Sequence, residues 1–175
     1  MIRYISYFPA ESSINTQITT MFKTLPPSGM FAPRTEEMME TILASLRNVL
    51  PLTDRAVFVP LPSHTGKAEL SLTLCCLLAK GTRTRVCDVL ECDPHTDFGI
   101  LRENGLRLPE PAELNMRLKA EVPDAPLYYL IDNLICSGTT MKAAMDTLPG
   151  RNTVGLCLVK EKSDKFVDTL KNVFF

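Results

Sequence analysis

The chain has 175 residues, with 19 Lys and Arg against 20 Asp and Glu and a formal charge of −1. That length fits one domain with a sizeable core, and the balanced charge, with no basic stripe, argues against nucleic acid as the main partner. No apolar run approaches the roughly 18 residues that span a bilayer, and the N-terminus lacks a secretory signal pattern, so no membrane is expected and the expected location is cytoplasmic.

Residues 1–10 form a short apolar run closed by Pro9, which predicts a strand. Ile14, Ile18, Met21 and Phe22 recur at helical spacing, which predicts a helix over 11–23, broken by Pro26, Pro27 and Gly29. From 35 to 50, Met38, Met39, Ile42, Leu43, Leu46, Val49 and Leu50 make one apolar stripe. Glu36 and Glu37 favour its first turn and Pro51 stops it, so a helix is expected there. The section 1–53 is expected to be an N-terminal extension: either a hood over a core at 54–175, or an edge strand with a covering helix.

Residues 54–62 are a second apolar strand, running into Ser63, His64, Thr65, Gly66 and Lys67. Gly66 permits a close backbone approach, Ser63 and Thr65 are donors, and Lys67 neutralises charge, so an anion is one expectation for this loop. An ordinary strand-to-helix turn would look similar. An almost wholly apolar helix over 68–80, ended by Gly81, and a strand over 84–92 then predict a right-handed parallel crossover. From 93 to 126 the pattern dissolves into Pro, Gly and charged residues. A loop of that length is expected to be functional or mobile.

Residues 127–131 are apolar or aromatic and lead into Asp132 and Asn133. A buried parallel strand that delivers polar groups at its C-terminal end is predicted, which is where open α/β sheets keep their sites. Cys136, Ser137, Gly138, Thr139 and Thr140 follow, and then Met141, Ala144, Met145 and Leu148 on one helical face. Backbone amides, hydroxyls and the positive end of a helix dipole suit a phosphate, and the Asp132-Asn133 pair suits vicinal sugar hydroxyls or a cation. Pro149 and Gly150 turn the chain into a strand over 152–159, and a final amphipathic helix is predicted over 163–173, with Phe166, Val167, Leu170 and Val173 inward.

Six cysteines, at 75, 76, 87, 92, 136 and 157, lie mostly in apolar runs with no C-x-x-C pair, and only His64 and His95 offer imidazole. Neither a disulfide framework nor a structural zinc site is expected. A Cys-dependent phosphatase loop at Cys136 would need an Arg six residues on, and position 142 is Lys.

The stretch 129–140 resembles the 5-phosphoribosyl 1-pyrophosphate (PRPP) motif of the type I phosphoribosyltransferases. There an apolar run precedes two acids, two apolar residues and a Thr/Ser-Thr-Gly-x-Thr loop. Asn133 stands in place of the second acid, and Cys136 in place of a common Ser or Thr. Residues 59–63 also look like the opening of the competence-associated subgroup of that family.

The resemblance implies an α/β fold, a parallel sheet of four to five strands with helices on both faces, in a single domain over 1–175. It implies a Mg²⁺-dependent transferase of nucleotide metabolism that moves ribose 5-phosphate from PRPP to a nitrogenous small-molecule acceptor. Asp132 and Asn133 would be its catalytic pair, 136–140 its 5-phosphate loop and 63–67 its pyrophosphate loop. Mg²⁺ would be carried by substrate oxygens, with no dedicated protein metal site. Arg102, Arg107, Arg117 and Lys119 would be candidate pyrophosphate contacts and Lys160 a candidate acceptor contact, with room for a homodimer. The alternative is a PRPP- or nucleotide-sensing protein that uses the same pocket without turnover.

Overall fold

The computed structural model describes residues 2–8, 40–50 with gaps at 42, 45 and 49, 54–160 and 170–172. In chain order its elements are β1 (Ile2–Phe8), β2 (Ala56–Pro60), α1 (Glu69–Ala79), β3 (Arg85–Val86), β4 (Leu90–Glu91) and α2 (Phe98–Glu103). A 3-10 turn (Pro111–Leu114) follows, then β5 (Arg117–Leu118), β6 (Leu127–Ile135), α3 (Thr139–Thr147), β7 (Thr153–Lys160) and β8 (Leu170–Asn172).

The fold is α/β. Strands run in the order β3-β2-β6-β7-β1-β8, with every neighbouring pair parallel. The four strands β3, β2, β6 and β7 form the part that helices flank, and β1 and β8 extend the sheet to six strands. The flanked part agrees with the expected four to five strands, and the whole sheet has six. β1 lies inside the sheet, between β7 and β8, rather than in a hood or at an edge. The helix expected over 11–23 lies outside the described residues, as does most of the N-terminal extension.

Alternation along the strands builds two cores, because successive side chains point to opposite faces. Ala56, Phe58, Tyr129, Ile131, Leu156 and Leu158 meet Leu74, Cys75 and Leu78 of α1, with the helical Leu43 and Leu46 and with Leu50 just after them. Val57, Val59, Tyr128, Leu130 and Cys157 meet Met141, Ala144, Met145 and Leu148 around α3 on the opposite face. Each Val, Leu, Ile, Phe or Met among them that is removed from water contributes about 1.5–3 kcal/mol. Arg47 ties the first layer together, since its guanidinium donates to the Leu77 and Leu78 carbonyls at 2.7 and 3.4 Å, at the negative end of α1.

Other expectations give way. The strand predicted over 84–92 breaks after Val86: the Cys87 amide still donates to Phe58 O at 2.8 Å, but Leu90–Glu91 leaves the sheet and pairs antiparallel with β5. The interval 93–126 is folded, with α2, a 3-10 turn and β5 in it. The turn falls at Pro111–Leu114. Its start is fixed by Glu110 and Glu113, whose side chains each accept the other's backbone N–H. Of the C-terminal helix predicted over 163–173, residues 170–172 are a strand paired with β1, and 163–169 lie outside the described residues. Among the described residues no helix is long and apolar enough to cross a membrane.

Candidate functional site

β6 is longer than expected, and that length shapes the site. β2 accompanies it only as far as Ile131, where Leu61 N donates to Ile131 O at 2.9 Å, while β7 pairs with it on to Ile135. Asp132 and Asn133 are thus still strand residues, but they stand beyond the last residue that β2 pairs with. This is the carboxyl edge of the sheet. Burial pushes the Asp132 carboxyl up to about 7, against the opposing effect of hydrogen bonds from the Asn133 and Leu134 backbone. Removal of charge from water outweighs those two donors.

Past Ile135 the chain turns at Cys136–Gly138 into α3. Gly138 caps that helix with φ 83°, the left-handed region that suits glycine. Cys136 and Thr140 are half-buried at the rim. Ser137 and Thr139 differ from expectation: both are 4% exposed, and their hydroxyls lie 2.9 Å apart. The Thr139 amide donates to Ser137 Oγ at 3.4 Å. Two of the three hydroxyls expected to line a concavity therefore hold the loop's shape instead. The remaining donors for an anion are the amides at the α3 N-terminus, which have no partner within a helix, and the Thr140 hydroxyl.

The loop after β2 uses the same device. Ser63 Oγ and Thr65 Oγ1 are 3.0 Å apart, and the Thr65 amide donates to Ser63 Oγ at 3.3 Å. Ser63 N donates to Lys67 O, and Gly66 N to Ser63 O, both at 2.9 Å. His64, Thr65 and Lys67 are exposed. Gly66 has φ 84°, and a Cβ there would meet Cys92 O at 2.5 Å. The close approach that requires glycine is thus to the chain's own backbone, confirmed by the Cys92 N to Gly66 O bond at 3.2 Å, where a ligand contact was expected.

The interval 93–103 straps these two loops together. His95 N donates to His64 O at 2.9 Å, and His95 stacks on Phe98 with ring centroids 4.7 Å apart. Asp97 Oδ1 accepts the Gly99 and Ile100 amides at 2.7 and 3.3 Å and so caps α2, while Asp97 Oδ2 lies 3.6 Å from His64 Nδ1. At the other end of α2, Arg102 Nη1 is 2.6 Å from Cys136 Sγ.

The remaining basic candidates of this interval are engaged with carboxylates. Arg107 bonds Glu113 at 2.7 and 2.8 Å, and Arg117 bonds Glu91 and Asp93 at 2.8 and 2.7 Å. Lys119 lies 2.7 Å from Asp88. Lys142, where a phosphatase loop would need Arg, pairs with Asp146 one turn on. Lys160 ends β7 beside Ile135, and its side chain is outside the described residues.

Asp97 was missed in the sequence, although an Asp just ahead of Phe98 and Gly99 is an N-cap signal. Cys92 was missed for a different reason: its role is a carbonyl, which no side-chain pattern reports. None of the six cysteines is in a disulfide, and Cys75, Cys92 and Cys157 are buried. Among the described residues no group of three or more His, Cys, Asp or Glu is arranged to hold a metal ion. No protein-family model matches the chain, and no curated protein matches its sequence.

Proposed function

We propose that this protein is a phosphoribosyltransferase that binds Mg²⁺-PRPP and moves ribose 5-phosphate to a nitrogenous acceptor. The observation that carries this reading is the pairing of β2 with β6. These strands are parallel neighbours, so the loops at 63–67 and 136–140 leave the same edge of the sheet, with Asp132 and Asn133 at that edge too. A phosphate monoester, a sugar diol and a pyrophosphate then have one recognising element each.

In this reading the Gly138, Thr139 and Thr140 region holds the 5-phosphate, with Cys136 and Ser137 shaping the turn. Asp132 and Asn133 accept from the ribose 2- and 3-hydroxyls. The loop of Ser63, His64, Thr65, Gly66 and Lys67 receives the pyrophosphate. The bond from the anomeric carbon to the pyrophosphate oxygen breaks with its electron pair leaving on that oxygen. The acceptor nitrogen supplies the pair for the new bond and gives up a proton. Little covalent work is asked of the protein, and the rate comes from positioning and preorganised electrostatics.

The donor set also bears on the cation. Asp132 is a carboxyl raised to about 7 and already accepting two backbone N–H groups, so it makes a poor cage by itself. That fits a Mg²⁺ that would be held largely by substrate oxygens and water. When bound, the ion supplies charge neutralisation to the departing pyrophosphate.

A second reading, a PRPP- or nucleotide-sensing protein with the same pocket and no turnover, is favoured by two facts. Asn133 carries no charge, and Asp132 titrates near neutrality, so the negative charge available to a cationic sugar is low. Pyrophosphate release is to be measured with PRPP, Mg²⁺ and a panel of purines, pyrimidines and other amines, alongside PRPP calorimetry. Turnover with any acceptor supports the transferase, and binding without turnover across the panel supports the sensor. No PRPP binding at millimolar concentration overturns both.

A further inference from the structure

We propose that Asp97 is a positioning residue for His64: it engages the Nδ1 side of the imidazole, so that pyrophosphate is gripped through Nε2 only by the protonated ring, and its binding takes up a proton. This rests on the phosphoribosyl reading above and deepens it, since that reading gives pyrophosphate to the 63–67 loop without a device that lets it go.

Two sets of bonds fix the pair from opposite sides. His64 belongs to a loop closed by Ser63 N to Lys67 O and Gly66 N to Ser63 O, both at 2.9 Å, and its own carbonyl accepts His95 N at 2.9 Å. Asp97 Oδ1 accepts the Gly99 and Ile100 amides at 2.7 and 3.3 Å, which orients the carboxylate and leaves Oδ2 at ion-pair range, 3.6 Å, from His64 Nδ1. The two side chains are 50% and 46% exposed, so the contact adds little to stability and its loss is read in binding rather than in folding.

A carboxylate only accepts, so the ring nitrogen that faces it carries the hydrogen. A neutral His64 ring is then the Nδ1–H form, and its Nε2 lone pair repels a pyrophosphate oxygen. With one more proton the ring offers that oxygen an N–H donor and a positive charge together. Imidazole makes this change between about pH 5 and 8. The other titratable groups around His64 are Lys67 on its own loop and Cys92, His95 and Asp97 on the segment that straps it. Burial pushes the Cys92 thiol up to about 11, so it keeps its proton over this range. His95 Nδ1 lies 2.9 Å from the Thr96 carbonyl and its ring stacks on Phe98, so that imidazole is engaged within its own segment.

The test is calorimetry of inorganic pyrophosphate with Mg²⁺ on the full chain at pH 6 and 8, in two buffers of different ionisation enthalpy, which counts the protons taken up. Wild type is compared with His64→Gln, His95→Gln and Asp97→Asn; the ligand and its Mg²⁺ titrate alike in all four, so differences belong to the protein. At pH 8 wild type should take up close to one proton more per pyrophosphate than His64→Gln. At pH 6 it should bind about 10- to 100-fold more tightly than that variant, the loss of a charged hydrogen bond. His95→Gln should match wild type. Asp97→Asn decides the positioning role, because Asn caps a helix as well as Asp but can turn an N–H donor toward Nδ1. The neutral ring then becomes the Nε2–H form, so the extra proton should disappear while pyrophosphate still binds more tightly than to His64→Gln. Should Asp97→Asn fail to fold, the proton count in Asp97→Ser, which also keeps a capping oxygen, is read in its place.

Equal proton uptake in wild type and His64→Gln, or its loss in His95→Gln, overturns the proposal and leaves the phosphoribosyl reading intact. An undiminished proton count in Asp97→Asn overturns it too, as does affinity there no better than in His64→Gln, which is the signature of a disturbed strap. Wild type that binds PRPP but not pyrophosphate overturns the proposal alone, and wild type that binds neither removes it together with the reading it rests on.

Discussion

Replacing Asp132 by Asn should stabilise this protein at neutral pH. Its carboxyl is raised from 3.8 to about 7, chiefly because burial penalises the charged form. A folded-state value above the unfolded one means that the folded chain holds the proton more tightly. The associated stability is complete below about pH 4, where both states are protonated. It is lost as pH rises toward 7, because over that window only the unfolded state releases its proton. At about 1.4 kcal/mol per unit, the cost at pH 8 has an upper bound of about 4 kcal/mol.

Asn keeps the shape and carries no charge, so Asp132→Asn should be within about 1 kcal/mol of wild type near pH 4 and up to about 4 kcal/mol more stable at pH 8. Urea unfolding of both proteins at half-unit steps from pH 4 to 8 checks this. Because other carboxyls titrate alike in the two chains, the difference curve isolates position 132. A difference that does not change with pH, or a variant less stable at pH 8, would refute the account. The same variant should lose affinity for PRPP. Stability gained where function is lost marks a strained polar group kept for its chemistry.

Three further substitutions probe the candidate site. Gly66→Ala places a Cβ 2.5 Å from Cys92 O at a φ of 84°, and should cost about 2–4 kcal/mol by urea melt; a cost under about 0.5 kcal/mol would show that the 92–95 segment yields easily. Gly138→Val forces a β-branched residue to φ 83° at the start of α3 and should abolish PRPP binding measured by calorimetry, whereas retained affinity contradicts the loop assignment. Asn133→Asp restores a second acid beside the sugar and should raise kcat for pyrophosphate release; an unchanged or lower kcat counts against charge as the limiting factor.

What the sequence made legible is what hydrophobic runs can encode. β2, β6, β7 and α1 are each a run of apolar residues bounded by Pro, Gly or polar punctuation, and burial on both faces demands such runs. The 84–92 region defeated that logic because Cys87, Asp88 and Val89 offer no turn signal, so the departure of β4 toward β5 is set by the distant partners Arg117 and Leu118. The interval 93–126 hid its order behind polar residues, because α2 and the Pro111–Leu114 turn are fixed by caps rather than by buried faces. At the candidate site, the residue types and their order along the chain were readable, but the direction of the hydroxyls was not. Ser137 facing Thr139 instead of solvent is decided by packing around α3, which no spacing reports.

The two loops share one design and differ in what it costs to use them. Each has a Ser and a Thr two residues apart whose hydroxyls touch, a Thr amide bonded back to the Ser oxygen, and a left-handed glycine: Gly66 in one, Gly138 in the other. In the 63–67 loop Thr65 is exposed, so its hydroxyl can exchange its partner for water or an anion oxygen at little cost. In the 136–140 loop the pair is buried, and recruiting either hydroxyl would leave the other unsatisfied, at about 1–3 kcal/mol. The second loop is therefore held in shape by its own bonds before any ligand arrives. A rigid turn of this kind recognises one fixed group, as the 5-phosphate of a sugar is, whereas the open loop suits a group that must leave.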